Sequence, residues 1–289
     1  MTSNSSSSIL AARFGRGSRV LRSESPLGED QMRTVAPSIF AAGKHCSRSE
    51  RYAYIPTIEV LRGLHKEGFE PFMVAQSASR IAGKSEYTKH MIRMRHAGQI
   101  QEGRSEANEI ILINSHDGAS SYQMLAGVFR FVCCNGLVVG DVVDDIRIPH
   151  KGNIRGEVIE GAFRVLDDFE AVDAATEGMK ALTLSPEEQQ AFATAALALR
   201  YGESDKGSTA AAAPITAQQL MQPRRMEDQG NSLWLSFQRT QENLMRGGQA
   251  GRSALGRRMQ TRPVGSIDRG VQLNRALWVL AEEMRRLKA

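Results

Sequence analysis

Apolar residues along this chain change period near position 150, from two to between three and four, and the change divides the elements the pattern predicts. Before it, short apolar runs stand between polar punctuation. Glu29 to Phe40 reads as a short helix weakened by Pro37, and Arg51 to Ile55 as a strand ended by Pro56. Thr57 is placed to cap a helix through Leu64 to Lys66, with Gly68 as its stop. Strands follow at Phe69 to Ala78, Lys89 to His96, Glu109 to Ser115, Tyr122 to Cys134 and Leu137 to Val143, with Asp145 to Ile148 as an extension. Asn135-Gly136, between Phe131-Val132-Cys133-Cys134 and Leu137-Val138-Val139, predicts a type I′ hairpin, because that turn needs φ > 0 at both central residues.

Beyond His150 the spacing becomes helical. Val158, Ala162, Val165, Phe169, Val172 and Ala175 predict one long amphipathic helix from Arg155 to Leu182. Ser185-Pro186-Glu187-Glu188 is a capping box with proline at the first helical position, opening a helix to Tyr201. GESDKGSTAAAAP, residues 202–214, reads as a linker. Asn231 or Ser232 then caps a helix carrying Leu233, Trp234, Phe237 and Leu244, stopped by Gly247-Gly248, and Ser266 caps the last one. The expectation is an α+β protein: an antiparallel β-meander packed by long amphipathic helices, with a helical C-terminal unit. Its parts are a flexible arm (1–30), a core domain (31–201), the linker (202–214) and an Arg-rich helical unit (215–289).

Composition sharpens this outline. Apolar residues make up 41% and charged residues 24%, as in an ordinary globular chain, and no apolar run is long enough to cross a bilayer. The Ser/Arg-rich start lacks the apolar core of a secretory signal and reads as a polar arm, so a cytoplasmic, non-membrane setting is expected. Three cysteines, Cys46, Cys133 and Cys134, in no C-x-x-C spacing, argue against a disulfide framework or a zinc site. No P-loop, G-x-G-x-x-G or G-x-S-x-G occurs, and no cofactor is expected.

Charge is segregated. Residues 1–104 carry 16 Lys/Arg against 9 Asp/Glu, residues 105–221 carry 8 against 17, and residues 222–289 carry 13 against 6. Twelve of the last thirteen cations are arginine, which suits a polyanionic partner whose phosphates they neutralise. Mutual neutralisation within the fold is the competing reading. In KHMIRMRH, period-two geometry sets Lys89, Arg93 and Arg95 on one side of a strand, with Arg130 on a neighbouring one. Such a face could track a phosphate backbone, with nearby tyrosines to stack bases, or be a solvated outer face. Arg257 and Arg258, within RSALGRRMQTR, suit a loop or arm of the same use.

Other chemistry is open to the residues but less economical. His116-Asp117, in the turn Asn114-Ser115-His116-Asp117-Gly118, would suit acid–base work with Cys133 as a thiol, giving an enzyme centred on the three. Adjacent strand residues point oppositely, however, and Asx-turn geometry from Asn114 and Asp117 explains the same residues. Cys133 and Cys134 read as buried structural thiols. His90 and His96 lie roughly 20 Å apart along a strand, at about 3.3 Å per residue, too far to share an ion.

The run Asn114-Ser115-His116-Asp117-Gly118-Ala119-Ser120-Ser121-Tyr122, then Arg130-Phe131-Val132-Cys133-Cys134-Asn135-Gly136-Leu137, then Asn231-Ser232-Leu233-Trp234 and Asn274-Arg275-Ala276-Leu277-Trp278, resembles the phage/plasmid-like proteins of the domain-of-unknown-function family 932. The resemblance covers Tyr52 to the C-terminus and carries over no catalytic residue. It implies a gene that travels on plasmids or phages of bacteria, hence DNA metabolism. In architecture the meander followed by a long helix is similar to Rad52-type single-strand annealing proteins, which implies an oligomer. The resulting expectation is a single-stranded DNA-binding or annealing protein of a mobile element, with Lys89, Arg93, Arg95, Arg130, Arg257 and Arg258 on nucleic acid. A host-interaction or anti-defence module is the remaining alternative.

Overall fold

The computed structural model describes residues 18–48, 52, 54–81, 83–99, 105–131, 135–140, 146–148, 154–202 and 213–288. The chain divides into two compact units, one of Met1–Gly136 with Val143–Phe169 and Gly265–Ile267, the other of Leu137–Val142, Glu170–Val264 and Asp268–Ala289.

The first unit is built on an antiparallel sheet. Strands β1 (Ser18–Arg22), β2 (Phe69–Ser77), β3 (His90–His96), β4 (Glu106–Asn114), β5 (Tyr122–Arg130) and β6 (Asn135–Val138) lie side by side in that order, and β7 (Ile146–Ile148) pairs with β5. The register aligns Met73, Arg93, Ile111 and Leu125 across one face, and Val74, Ile92, Leu112 and Met124 across the other. Both rows are buried, which is why these strands read as near-continuous apolar runs.

Helix α1 (Glu29–Val35) runs into a 3-10 turn at Pro37–Phe40. Helix α2 (Thr57–Lys66) buries Val60, Leu61 and Leu64, and Gly68 turns the chain at φ +87° into β2. Helix α3 (Ile154–Asp167) packs on α2 and on β5. Gly161 permits that approach, since a Cβ there would stand 2.6 Å from Met124 Cε.

From Glu170 on, the described residues of the second unit form helices and one hairpin. Its elements are α4 (Phe169–Ala181), α5 (Pro186–Tyr201), α6 (Ala217–Leu220), α7 (Leu233–Arg246), the paired strands β8 (Ala250–Arg252) and β9 (Arg258–Gln260), and α8 (Ile267–Lys288). The capping box forms: Ser185 Oγ accepts from the Glu188 amide at 3.2 Å, and Glu188 Oε2 accepts from the Ser185 amide at 2.7 Å. Trp278 meets Trp234 and Phe237 edge to face, and those two rings are tilted at 52° to each other, with centroids 5.7 to 6.4 Å apart.

Helix α7 is buried from Leu233 to Leu244 except at Leu235, polar residues included. Glu242 takes a two-pronged bond from Arg225 (2.9 and 2.6 Å), and Asn243 Nδ2 donates to the Leu220 and Gln222 carbonyls. Gln241 donates to Asn274 of α8 at 2.6 Å, and Arg239 donates to the Asp228 and Gly230 carbonyls. Such a helix is tied down by directional bonds as much as by apolar contact.

The α+β class and the antiparallel meander agree with the hydrophobic pattern. Four details differ. Residues 18–22, expected within a flexible arm, form β1, because Val20 and Leu21 bury on β2 and its backbone completes the edge. Tyr54 and Ile55 are not a strand, and the Tyr52 and Tyr54 hydroxyls donate to the carbonyls of Ser115 and Ala41 (Arg51 and Ala53 lie outside the described residues). Asn135 and Gly136 lie inside β6 rather than at a turn, and Gly136 has no positive φ. Residues 155–182 form two helices, with the chain turning at Asp168.

Candidate nucleic-acid interface

Arg93 and Arg95 share one side of β3, as their spacing requires, but that side is not open. Arg93 and Arg95 are each 3% exposed and Glu109 is 1% exposed. Glu109 stands on β4 beside them, and its carboxylate bridges both cations: Oε2 accepts from Arg93 Nε, while Oε1 accepts from Arg95 Nε and Nη2 at 3.0 and 2.9 Å. Three aromatic faces surround the Arg95 guanidinium, Phe72 at 4.1 Å, Phe129 at 4.4 Å and Phe131 at 5.1 Å. Ring quadrupoles replace part of the hydration that burial removes. Gly136 belongs to the same arrangement, since a Cβ there would lie 2.6 Å from Arg93 Cζ. This close approach accounts for its glycine, where the sequence suggested a turn.

Arg130 is 5% exposed at the end of β5, in register with Glu106 of β4. Lys89 is half-buried just ahead of β3. The expected open phosphate-tracking face is therefore a buried ionic layer of the sheet. The acid at position 109 and the phenylalanines decide this, and period-two reasoning on β3 alone does not include them.

A second buried polar cluster lies on the other face of the sheet, around Thr57. Thr57 is the first residue of α2 and makes no cap bond; its hydroxyl turns inward to His90, Asn114, His116 and Tyr122, all five residues being 0% exposed. The proton positions follow from one anchored amide. Gln76 Nε2 donates to the Ser85 carbonyl at 2.7 Å, so its Oε1 faces Ser38 and accepts from that residue's amide and hydroxyl at 2.9 and 2.8 Å. With its proton committed, Ser38 Oγ accepts from His90 Nδ1–H at 2.9 Å. His90 Nε2 is then bare and accepts the Thr57 hydroxyl proton at 3.0 Å.

Thr57 Oγ1 in turn accepts from Asn114 Nδ2 at 3.0 Å, with Tyr122 OH at 3.2 Å and His116 Nε2 at 3.3 Å around its second lone pair. Burial pushes the His90 imidazolium down to about 3, with the neighbouring His116 adding to the effect. The ring is neutral at physiological pH, as the chain of bonds requires. Burial likewise raises Tyr122, so its hydroxyl keeps its proton.

The His116-Asp117 turn resolves into separate parts. Asp117 accepts from the Ala119 amide at 3.0 Å, an Asx turn with Gly118 at φ +75°, and pairs with Lys84 at 3.1 Å. Burial alone would raise this carboxyl, but the Ala119 amide and Lys84 more than reverse that and hold it below its ordinary value. Asn114, expected in the same turn chemistry, instead serves the Thr57 cluster. Cys133 and Cys134 lie outside the described residues. Among the described residues no three His, Cys, Asp or Glu side chains converge to hold a metal ion.

Arg257 and Arg258 stand in a different setting. The expected loop is a hairpin: β8 and β9 pair Arg252 with Arg258, and residues 253–257 form its tip. Arg252, Arg257, Arg258 and Arg262 are all exposed, and Leu255 at the tip is 81% exposed. From Asn243 to Ile267 the sequence holds five arginines and no Asp or Glu. Of the six cations the sequence singled out, the structure brings Arg93 and Arg95 together inside the sheet and sets Arg257 and Arg258 together on the hairpin.

Comparison with known proteins places this architecture among relatives. The profile described as Domain of unknown function (DUF932) matches residues 44–278. Two proteins of Escherichia coli (strain K12), the UPF0380 proteins YafZ and YfjQ, are each 50% identical to this chain over 275 residues, covering 95% of it and 97% of theirs. No solved structure matches. No described helix is long and apolar enough to cross a membrane.

Proposed function

The chain belongs to the DUF932 family, and from that premise we propose that it binds single-stranded DNA, in the recombination or replication of a mobile element. One observation carries the reading: an exposed hairpin bearing Arg252, Arg257 and Arg258, inside a stretch of five arginines with no acid. Clustered arginine without local carboxylates neutralises phosphate and releases condensed counterions. In this proposal Arg257 and Arg258 hold phosphates, while Arg93, Arg95 and Arg130 stabilise the sheet from within. The mobile-element role rests on the resemblance to phage/plasmid-like proteins. The likeness to Rad52-type annealing proteins extends the proposal to an oligomer; that likeness rests on the antiparallel series β2 to β7 followed by α3.

The test is fluorescence polarisation with a labelled single strand across a salt series. Affinity should fall log-linearly with salt, and Arg257→Ala/Arg258→Ala should reduce the slope by about 1.4, at about 0.7 per phosphate on a single strand. No binding at low salt, or an unchanged slope in the variant, overturns the proposal.

A further inference from the structure

Beside the hairpin lies a groove of about 730 Å³ between β8–β9 and the segment leading into α6. We propose that this groove takes one unstacked nucleobase of a bound DNA strand, so that the protein selects unpaired over paired DNA. The inference rests on the reading of the hairpin as a phosphate-binding element.

The groove is preformed. The Arg252 amide donates to the Pro214 carbonyl at 2.8 Å, Gln219 Nε2 donates to the Ala250 carbonyl at 3.0 Å, and Gln249 Nε2 donates to the Gln219 carbonyl at 2.9 Å. Gly251 is required there, because a Cβ would collide with the Pro214 carbonyl oxygen. These bonds fix both walls, so a ligand meets them already ordered.

The lining suits a heteroaromatic ring. Pro214, Ala254 and Met259 offer flat or polarizable apolar contact, and Ser253, whose Oγ accepts from the Arg257 amide at 3.3 Å, keeps its hydroxyl proton to donate to a base edge. Arg252 and Arg258 also line the groove and can stack on the ring or hold the flanking phosphates. No acidic residue lines it, so nothing repels the backbone. The volume falls within the usual range of small-molecule sites, about 300–1,000 Å³.

A base inside a duplex cannot enter, because its faces are stacked and its pairing edge is occupied; extruding it costs unstacking and unpairing, least where it is already unpaired. Leu255 stands 81% exposed at the hairpin tip, positioned as an apolar wedge for the gap that an extruded base leaves in the stack.

The experiment uses the full chain with a single strand and a blunt duplex of one sequence, each carrying one 2-aminopurine, a base whose fluorescence rises on unstacking. The unaltered chain should bind the single strand at least tenfold more tightly and raise its fluorescence. Ala213→Leu/Ala254→Leu fills the groove from both walls without adding an aromatic plane. It should reduce single-strand affinity to the duplex level and abolish the fluorescence rise. If the filled variant keeps either the preference or the rise, or if the unaltered chain binds both forms equally, the groove proposal is overturned. The underlying reading fails separately: Arg257→Ala/Arg258→Ala would then leave affinity for both forms unchanged.

Discussion

Strand β3 and the β8–β9 hairpin both carry arginines on one face of an antiparallel pairing, and the two sets end in opposite surroundings. Arg93 and Arg95 lie on a strand with a neighbour at each edge, beside an acid on β4, and three phenylalanines cover Arg95. Arg252 and Arg258 face each other across a two-stranded ribbon with no acid from 243 to 267. The lesson is that spacing fixes which side of a strand a cation takes. Adjacent strands and their acids fix whether that side meets water.

Removing Glu109 tests the buried half most severely. Glu109→Ala leaves two desolvated guanidinium groups without their shared anion, and urea denaturation should show a loss of about 3–5 kcal/mol. A loss below about 1 kcal/mol would make Arg93 and Arg95 surface-like and erase the contrast.

Thr57→Val comes next, because it withdraws a proton from His90 Nε2 and an acceptor from Asn114 while nearly keeping the volume. The expected cost is about 1–3 kcal/mol in the same assay, and a neutral result would mean the cluster is held by packing alone.

The third effect depends on pH. His90 has a folded value of about 3 against an ordinary 6.5, so between these the unfolded chain binds the proton and the folded chain does not. The stability His90 confers is complete above about pH 6.5 and declines as pH falls toward about 3. The slope contributed is at most about 1.4 kcal/mol per pH unit. Subtracting the pH profile of His90→Gln from that of the unaltered chain should isolate this slope, and parallel profiles would show that His90 is not its source.

The smallest expected effect belongs to the hairpin. Arg257→Ala/Arg258→Ala should shift unfolding free energy by no more than about 0.5 kcal/mol. A large loss would place these cations in the same structural role as Arg93 and Arg95.

Most of the architecture of both units is legible in the sequence, because apolar runs bounded by turn residues, the Ser185 capping box and the change of period near residue 150 are local signals. The misread residues are those whose role is set across strands. Gly136 follows an asparagine and imitates a turn, yet its missing side chain makes room for Arg93, a residue 43 positions earlier. Thr57 occupies a helix start and imitates a cap, yet its hydroxyl serves a histidine 33 positions on. Glu109, in the sequence, only opens an apolar run. The exposed arginines of the hairpin were legible because their stretch contains no acid, a local fact. The groove beside them was not, since the bonds that join its two walls, from the Gln219 and Gln249 side chains among others, span 30 or more positions of sequence.

The anchored amide of Gln76 has a consequence for how this family can change over time. Its grip on the Ser85 carbonyl orients every proton from Ser38 through His90 to Thr57, so the donors point one way along the series. No member can be exchanged alone without leaving a buried donor or acceptor facing its own kind. A homologue with an apolar residue at position 38 loses the shorter of two acceptors for the imidazole proton and leaves it to the Thr88 carbonyl at 3.3 Å. Substitutions at positions 38, 57, 76, 90 and 114 should therefore arrive in sets, and aligning the family's sequences would check it.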